Sequence, residues 1–139
     1  MSKHIIIGDV HGMFNELWKL FRLLVRPDDK VVFVGDLIDK GPDSARVVQF
    51  VREMSRTHDI TLVEGNHEEK HRRFRKNCME RPDTAKLMSD RSPELQEITD
   101  QLSEEDIEFL NTAVPFHRIE GCNILVVHGG IPGNMTEFP

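Results

Sequence analysis

A chain of 139 residues, 38% hydrophobic and 30% charged, carries enough apolar material for one modest core and too much for a disordered segment. No apolar run approaches the ~18 residues of a membrane span, and the opening Met1–Ile7 has neither the length nor the cleavage pattern of a signal peptide, so the expectation is a cytoplasmic protein with no membrane partner. The net charge of −6 disfavours broad nucleic-acid binding, and the two cysteines, Cys78 and Cys122, are expected to be reduced thiols.

The first half alternates short β-rich runs with helical patterns. Ile5-Ile6-Ile7 reads as a buried strand that stops at Gly8-Asp9. Phe14, Leu17, Trp18, Phe21 and Leu24 then recur at helical spacing, and Phe14, Trp18 and Phe21 are read as core. Val31 to Val34 form a second buried strand ending at Gly35-Asp36. A helix bearing Val47, Val48 and Val51 follows, with Asp43 or Ser44 as its cap. Ile60 to Val63 make a third strand, which ends at Gly65-Asn66-His67. Residues 68 to 113 are polar and read as a helical insertion broken at Pro82 and Pro93. Ser103 opens a helix there with Glu104, Glu105 and Asp106 in its first turn. Phe116–Ile119 and Asn123–Val127, joined at Glu120-Gly121, make a hairpin that ends at His128-Gly129-Gly130. Strand–loop–helix units in this order imply an α/β fold with a mostly parallel sheet flanked by helices, residues 1–139 forming one domain. Ligands bind such sheets beyond the carboxyl ends of the strands.

Those strand ends hold the chemistry-bearing residues. Four segments stand there: Gly8-Asp9-Val10-His11-Gly12, Gly35-Asp36-Leu37-Ile38-Asp39-Lys40-Gly41, Gly65-Asn66-His67-Glu68 and His128-Gly129-Gly130. Carboxylate oxygens together with imidazole nitrogens suit Mn, Fe or Zn. An extended backbone projects residues two apart, such as Asp9 and His11, to one side. One carboxylate can bridge two cations, and a cation pair can activate a water and clamp phosphoryl oxygens. Each segment alone is a common turn; four in order, each after an apolar strand, are not.

In these four motifs the chain resembles the calcineurin-like metallophosphoesterases, and within them the phosphoprotein-phosphatase branch. That branch includes phage-type serine/threonine phosphatases and diadenosine polyphosphate hydrolases. The resemblance implies the first part of an αββα sandwich and two divalent metal ions, Mn first, with Fe, Zn or Mg also compatible. It makes Asp9 and His11 ligands of the first metal, Asp36 the bridging carboxylate, and Asn66 and His128 ligands of the second. Asn66 would also reach the substrate phosphate. His67 would protonate the leaving oxygen, with Asp39 orienting its ring. The implied reaction is hydrolysis of phosphate monoesters, on a protein or a nucleotide, by in-line attack of a metal-bridging hydroxide.

Departures from that pattern shape the remaining expectations. Lys40 stands where the family usually has Arg, and is read as a phosphate contact that lacks a bidentate fork. Glu64 stands where protein phosphatases often carry Arg, which shifts weight toward nucleotide substrates. Arg72, Arg73 and Arg75, in the basic run from Lys70 to Lys76, are candidates to line the substrate mouth. The stretch from Arg81 to Gln101 is a candidate cap over the site. His4, His58 and His71 are read as surface or strand-edge residues. No His follows His128, so a final metal ligand of the family pattern is missing, and the chain is expected to be a C-terminally incomplete domain. Self-association could then cover an exposed sheet edge. The rival readings are a phosphodiesterase, a dinucleoside polyphosphate hydrolase, or an inactive metal-binding module.

Overall fold

The computed structural model describes residues 3–137. Three strands, β1 (His4–Ile7), β2 (Lys30–Phe33) and β3 (Asp59–Leu62), form a parallel sheet in the order β1-β2-β3. The register sets Ile5 beside Val31 and Val31 beside Ile60. The crossovers are α1 (Phe14–Leu24) and α2 (Ser44–Met54). Four helices follow: α3 (Asn66–Glu80), α4 (Pro82–Arg91), α5 (Glu94–Gln101) and α6 (Glu104–Leu110). The chain then pairs β4 (His117–Ile119) with β5 (Ile124–Val126), antiparallel, as the hairpin pattern predicts. Among the described residues no helix is long and apolar enough to cross a membrane.

The central strand shows why the layers stack. Val31 and Phe33 point to one face, where Leu17, Phe21, Val47, Val48 and Val51 of α1 and α2 close the main core. Val32 points to the other and packs with Val63, Ile119 and Val126 beneath the hairpin. A strand buried on both faces reads as an unbroken apolar run, and Val31-Val32-Phe33, after the exposed Lys30, is one. The helical insertion has its own small core of Phe74, Ala85 and Leu95.

Three sequence expectations need correction. β1 is not buried: it pairs only with β2 among the described residues, and Ile6 is 46% exposed because the hairpin covers Val32 but not its neighbour. Trp18 is not core; it lies 39% exposed, with the Arg22 guanidinium 4.7 Å above its ring. Periodicity places it on the apolar stripe, yet only Leu17 and Phe21 of α1 are buried. Asp43 does stand at the N-cap of α2, but neither it nor Ser44 makes a side-chain cap bond. Ser44 Oγ instead accepts the Asp39 N–H at 2.9 Å, serving the loop before the helix.

Candidate functional site

The loops after β1 and β2 are laced together by the backbone. Val10 and His11 N–H both donate to the Asp36 carbonyl, and Gly12 N–H donates to the Leu37 carbonyl. A Cβ at Gly41 would collide with the His11 carbonyl oxygen, and one at Gly65 with Asp36, so these loops approach as only glycine allows. Among the described residues, positive φ at non-glycine positions occurs only at His11 (45°), Asp36 (56°), Asp39 (69°) and Lys40 (71°). Such residues cost of order 1–3 kcal/mol each and cluster where function requires a particular side-chain direction.

Glu68 holds two of these loops together. Its carboxylate is 3% exposed and accepts N–H groups from Asp36 (2.5 Å), Leu37 (3.1 Å) and Gly65 (3.1 Å). Burial raises its pKa, and the backbone donors only partly offset that. Glu68 stood in a quoted motif with no role attached. Its spacing of three from the helix-starting Gly65, the interval of a capping box, was the available signal.

The predicted ligand residues converge. Asp9, Asp36 and His128 offer atoms all within 4.8 Å of one another, and so do His11, Asp36 and His67. Asp36 is the common member. Its Oδ1 accepts the His67 N–H at 3.1 Å, while its Oδ2 lies 3.6 Å from His11 Nε2 and 3.2 Å from His128 Nε2. Asp9 Oδ2 is 3.5 Å from His11 Nε2. The ring orientations fit a cation. A carbonyl only accepts, so His11 Nδ1 donates to Ile38 (2.8 Å) and His128 Nδ1 donates to Val34 (3.0 Å). Each Nε2 lone pair is thereby turned toward carboxylates, as in metal-ligating histidines. His128 Nε2 also lies 2.7 Å from Asn66 Oδ1. An imidazole lone pair and an amide oxygen at that distance can share a cation, and the amide turned over would donate Nδ2–H instead. The donor set therefore suits divalent metal ions shared around Asp36.

Beside this cluster lies a second constellation. His67 Nδ1–H donates to Asp39 Oδ2 at 2.7 Å, and its ring meets that of His11 edge to face at 4.9 Å. Asp39 is 1% exposed. Burial opposes its ionisation, but the bonds from His71 and His67 outweigh burial and hold its pKa below the usual value. His71 corrects the sequence reading: it is not a surface residue but fully buried, with Nε2 2.8 Å from Asp39 Oδ1. A basic run disguised it, although its spacing of four from His67 on a helix sets both rings on one face.

The remaining candidates lie outside both clusters. Lys40 is exposed and borders a cleft of about 310 Å³ whose far wall is Glu94, Glu97, Ile98 and Gln101 of α5, so part of the stretch from 81 to 101 faces Lys40. Arg72 gives its fork to Glu64 (2.9 and 3.0 Å), which raises its pKa. Arg73 is 57% exposed and 3.9 Å from Glu69. It lies two turns beyond Asn66 on the same face of α3, about 10 Å along the axis. Arg75 is half-buried, its Nη2 3.3 Å from Asn111 Oδ1 and its Nη1 without a partner.

Comparison with known proteins agrees with this geometry. The calcineurin-like phosphoesterase family matches residues 3–138. An asymmetrical bis(5'-nucleosyl)-tetraphosphatase from Oceanobacillus iheyensis is 29% identical over 94% of this chain and 57% of its own length. Serine/threonine-protein phosphatase 1 of Salmonella typhimurium is 41% identical over 48% of this chain and 31% of its own. A solved structure with a provisional diadenosine tetraphosphatase assignment superposes with a TM-score of 0.68 at 28% identity, covering 91% of this chain and 50% of that one. The chain thus spans about half the length of the relatives it matches.

Proposed function

Because the chain belongs to the calcineurin-like phosphoesterase family, we propose that its strand-end cluster is a two-metal site for phosphoester hydrolysis. The observation that carries this is Asp36, whose one free carboxylate oxygen stands between His11 and His128. Asp9, His11 and Asp36 would hold one ion, and Asp36, Asn66 and His128 the other. Manganese is the expected metal. Such ions, when bound, supply the Lewis acidity that polarises a phosphoryl group and generates the nucleophile.

The chain's own residues supply the rest. His67 lies in one cluster with His11 and Asp36, and Asp39 takes its Nδ1–H, which leaves Nε2 as the atom to carry the transferable proton. It is thereby placed to give a proton to the leaving oxygen, with Asp39 balancing the imidazolium charge it carries beforehand. Lys40 and Arg73 add positive charge at the rim, and Arg72 could do so once released from Glu64. Phosphate monoesters, on a protein or on a nucleotide or other small molecule, are the leading substrates.

A second reading, dinucleoside polyphosphates, is favoured by the tetraphosphatase relative, which matches 94% of this chain where the protein phosphatase matches 48%. A substrate panel with manganese decides both. An alkyl phosphate, a phosphopeptide and diadenosine tetraphosphate would be compared for wild type, Asp36→Asn and His67→Asn. Each variant should lose at least ~100-fold in kcat on whichever substrate is turned over. Undiminished turnover by both variants would falsify the assignment.

A further inference from the structure

His71 lies outside the four strand-end motifs, and its fully buried ring is not accounted for by metal binding or proton donation. It shares one carboxylate with His67: Asp39 Oδ2 takes the His67 Nδ1–H and Asp39 Oδ1 takes the His71 Nε2–H. We propose that His71 is a positioning residue, whose hydrogen bond locks the Asp39 carboxylate in the one orientation that holds His67 ready to act. The inference rests on the phosphoesterase reading for its effect on turnover, but not for the contact itself.

The physical argument begins with what Asp39 would be without it. The terminal torsion of an aspartate is broad and soft, so one hydrogen bond does not define the carboxylate plane. Asp39 sits at φ 69° in a loop, with its N–H fixed by Ser44 Oγ at 2.9 Å. With His71 removed, Oδ1 would be a buried anionic oxygen with no donor, and rotation toward any remaining donor would draw Oδ2 away from His67. With His71 present, both oxygens carry charge-assisted bonds under 2.9 Å to rings one helical turn apart on α3.

The His71 tautomer is set by its surroundings. A proton on Nε2 satisfies Asp39. Nδ1 is buried with no partner, and a bare acceptor there is less costly than an unpaired N–H. His71 therefore contributes a single N–H on a rigid ring. A residue that merely filled space would be replaceable by a similar apolar group, and a donor is not.

The test compares wild type with His71→Leu, which keeps bulk and loses the donor, and His71→Gln, whose amide can reach where Nε2 lies. His67→Asn serves as reference. One readout is the NMR signal of the His67 Nδ1–H in the metal-free chain; the other is steady-state kinetics on an alkyl phosphate and an aryl phosphate. His71→Leu should lose the slowly exchanging His67 signal. It should also lower kcat on the alkyl ester about 10-fold, with KM within about twofold and the aryl ester spared, because a good leaving group needs little protonation. His71→Gln should restore both. If His71→Leu does not fold, His71→Asn, polar but too short to reach Asp39, takes its place.

An unchanged His67 signal together with unchanged kcat in the donor-free variant would overturn the proposal, as would His71→Gln failing equally with it. A wild type inactive on both esters would instead sink the phosphomonoester reading, leaving the NMR comparison to decide His71.

Discussion

At the scale of single residues, buried carboxylates organise this protein. Glu68 and Asp39 are each nearly sealed from solvent and each satisfied by two or more N–H donors. Asp29 plays the same part away from the site. It accepts from the Lys3 N–H, Lys3 Nζ and the Arg26 N–H, and these bonds, the Lys3 side chain first, lower its pKa to about 2. A carboxyl whose folded pKa lies below its unfolded one stabilises above the unfolded value of about 3.9 and loses that contribution as pH falls toward 2. Asp29→Asn should thus be less stable than wild type at neutral pH, with the difference shrinking between about pH 4 and 2. Thermal melts across that window would show it, and a constant gap would contradict the linkage.

At the scale of elements, helix starts are where local sequence does most of the work. The start of α6 is sealed by a reciprocal box: Ser103 Oγ accepts the Asp106 N–H and Asp106 Oδ2 accepts the Ser103 N–H. Asp106 also receives Arg52 Nε at 2.8 Å, so the cap ties α6 to α2. Ser103→Ala should cost about 1 kcal/mol, a fall in melting temperature of roughly 3–5 °C at this chain length. Chemical denaturation would measure it, and no change would mean that the Arg52 bridge alone holds the helix start. The start of α2 teaches the converse: Ser44, which looks like a cap, accepts the Asp39 N–H of the preceding loop instead.

At the scale of the whole molecule, the proposed metal ligands from four strand ends meet only when the sheet, its loops and the hairpin are assembled. Metal binding should therefore couple to global stability. Manganese at 100 times its dissociation constant should stabilise wild type by about 2.7 kcal/mol per independent site, and should do far less for Asp36→Asn. Calorimetry would follow the melt while titration counts ions. Two ions per chain support the catalytic reading, whereas one or none supports an impaired metal-binding module.

The sequence by itself determined the strand–helix order, the parallel sheet, the hairpin and the residues at the strand ends. Each of these follows from short-range periodicity, turn residues and apolar runs, which a local stretch of chain contains. Only the tertiary structure decided that β1 is a half-exposed edge, that Trp18 faces solvent, that Glu68 bridges two loops and that His71 is buried against Asp39. Those outcomes depend on which surface another part of the chain happens to cover. Asp39 and His71 are 32 positions apart, and nothing local to either residue records that the other will be its neighbour.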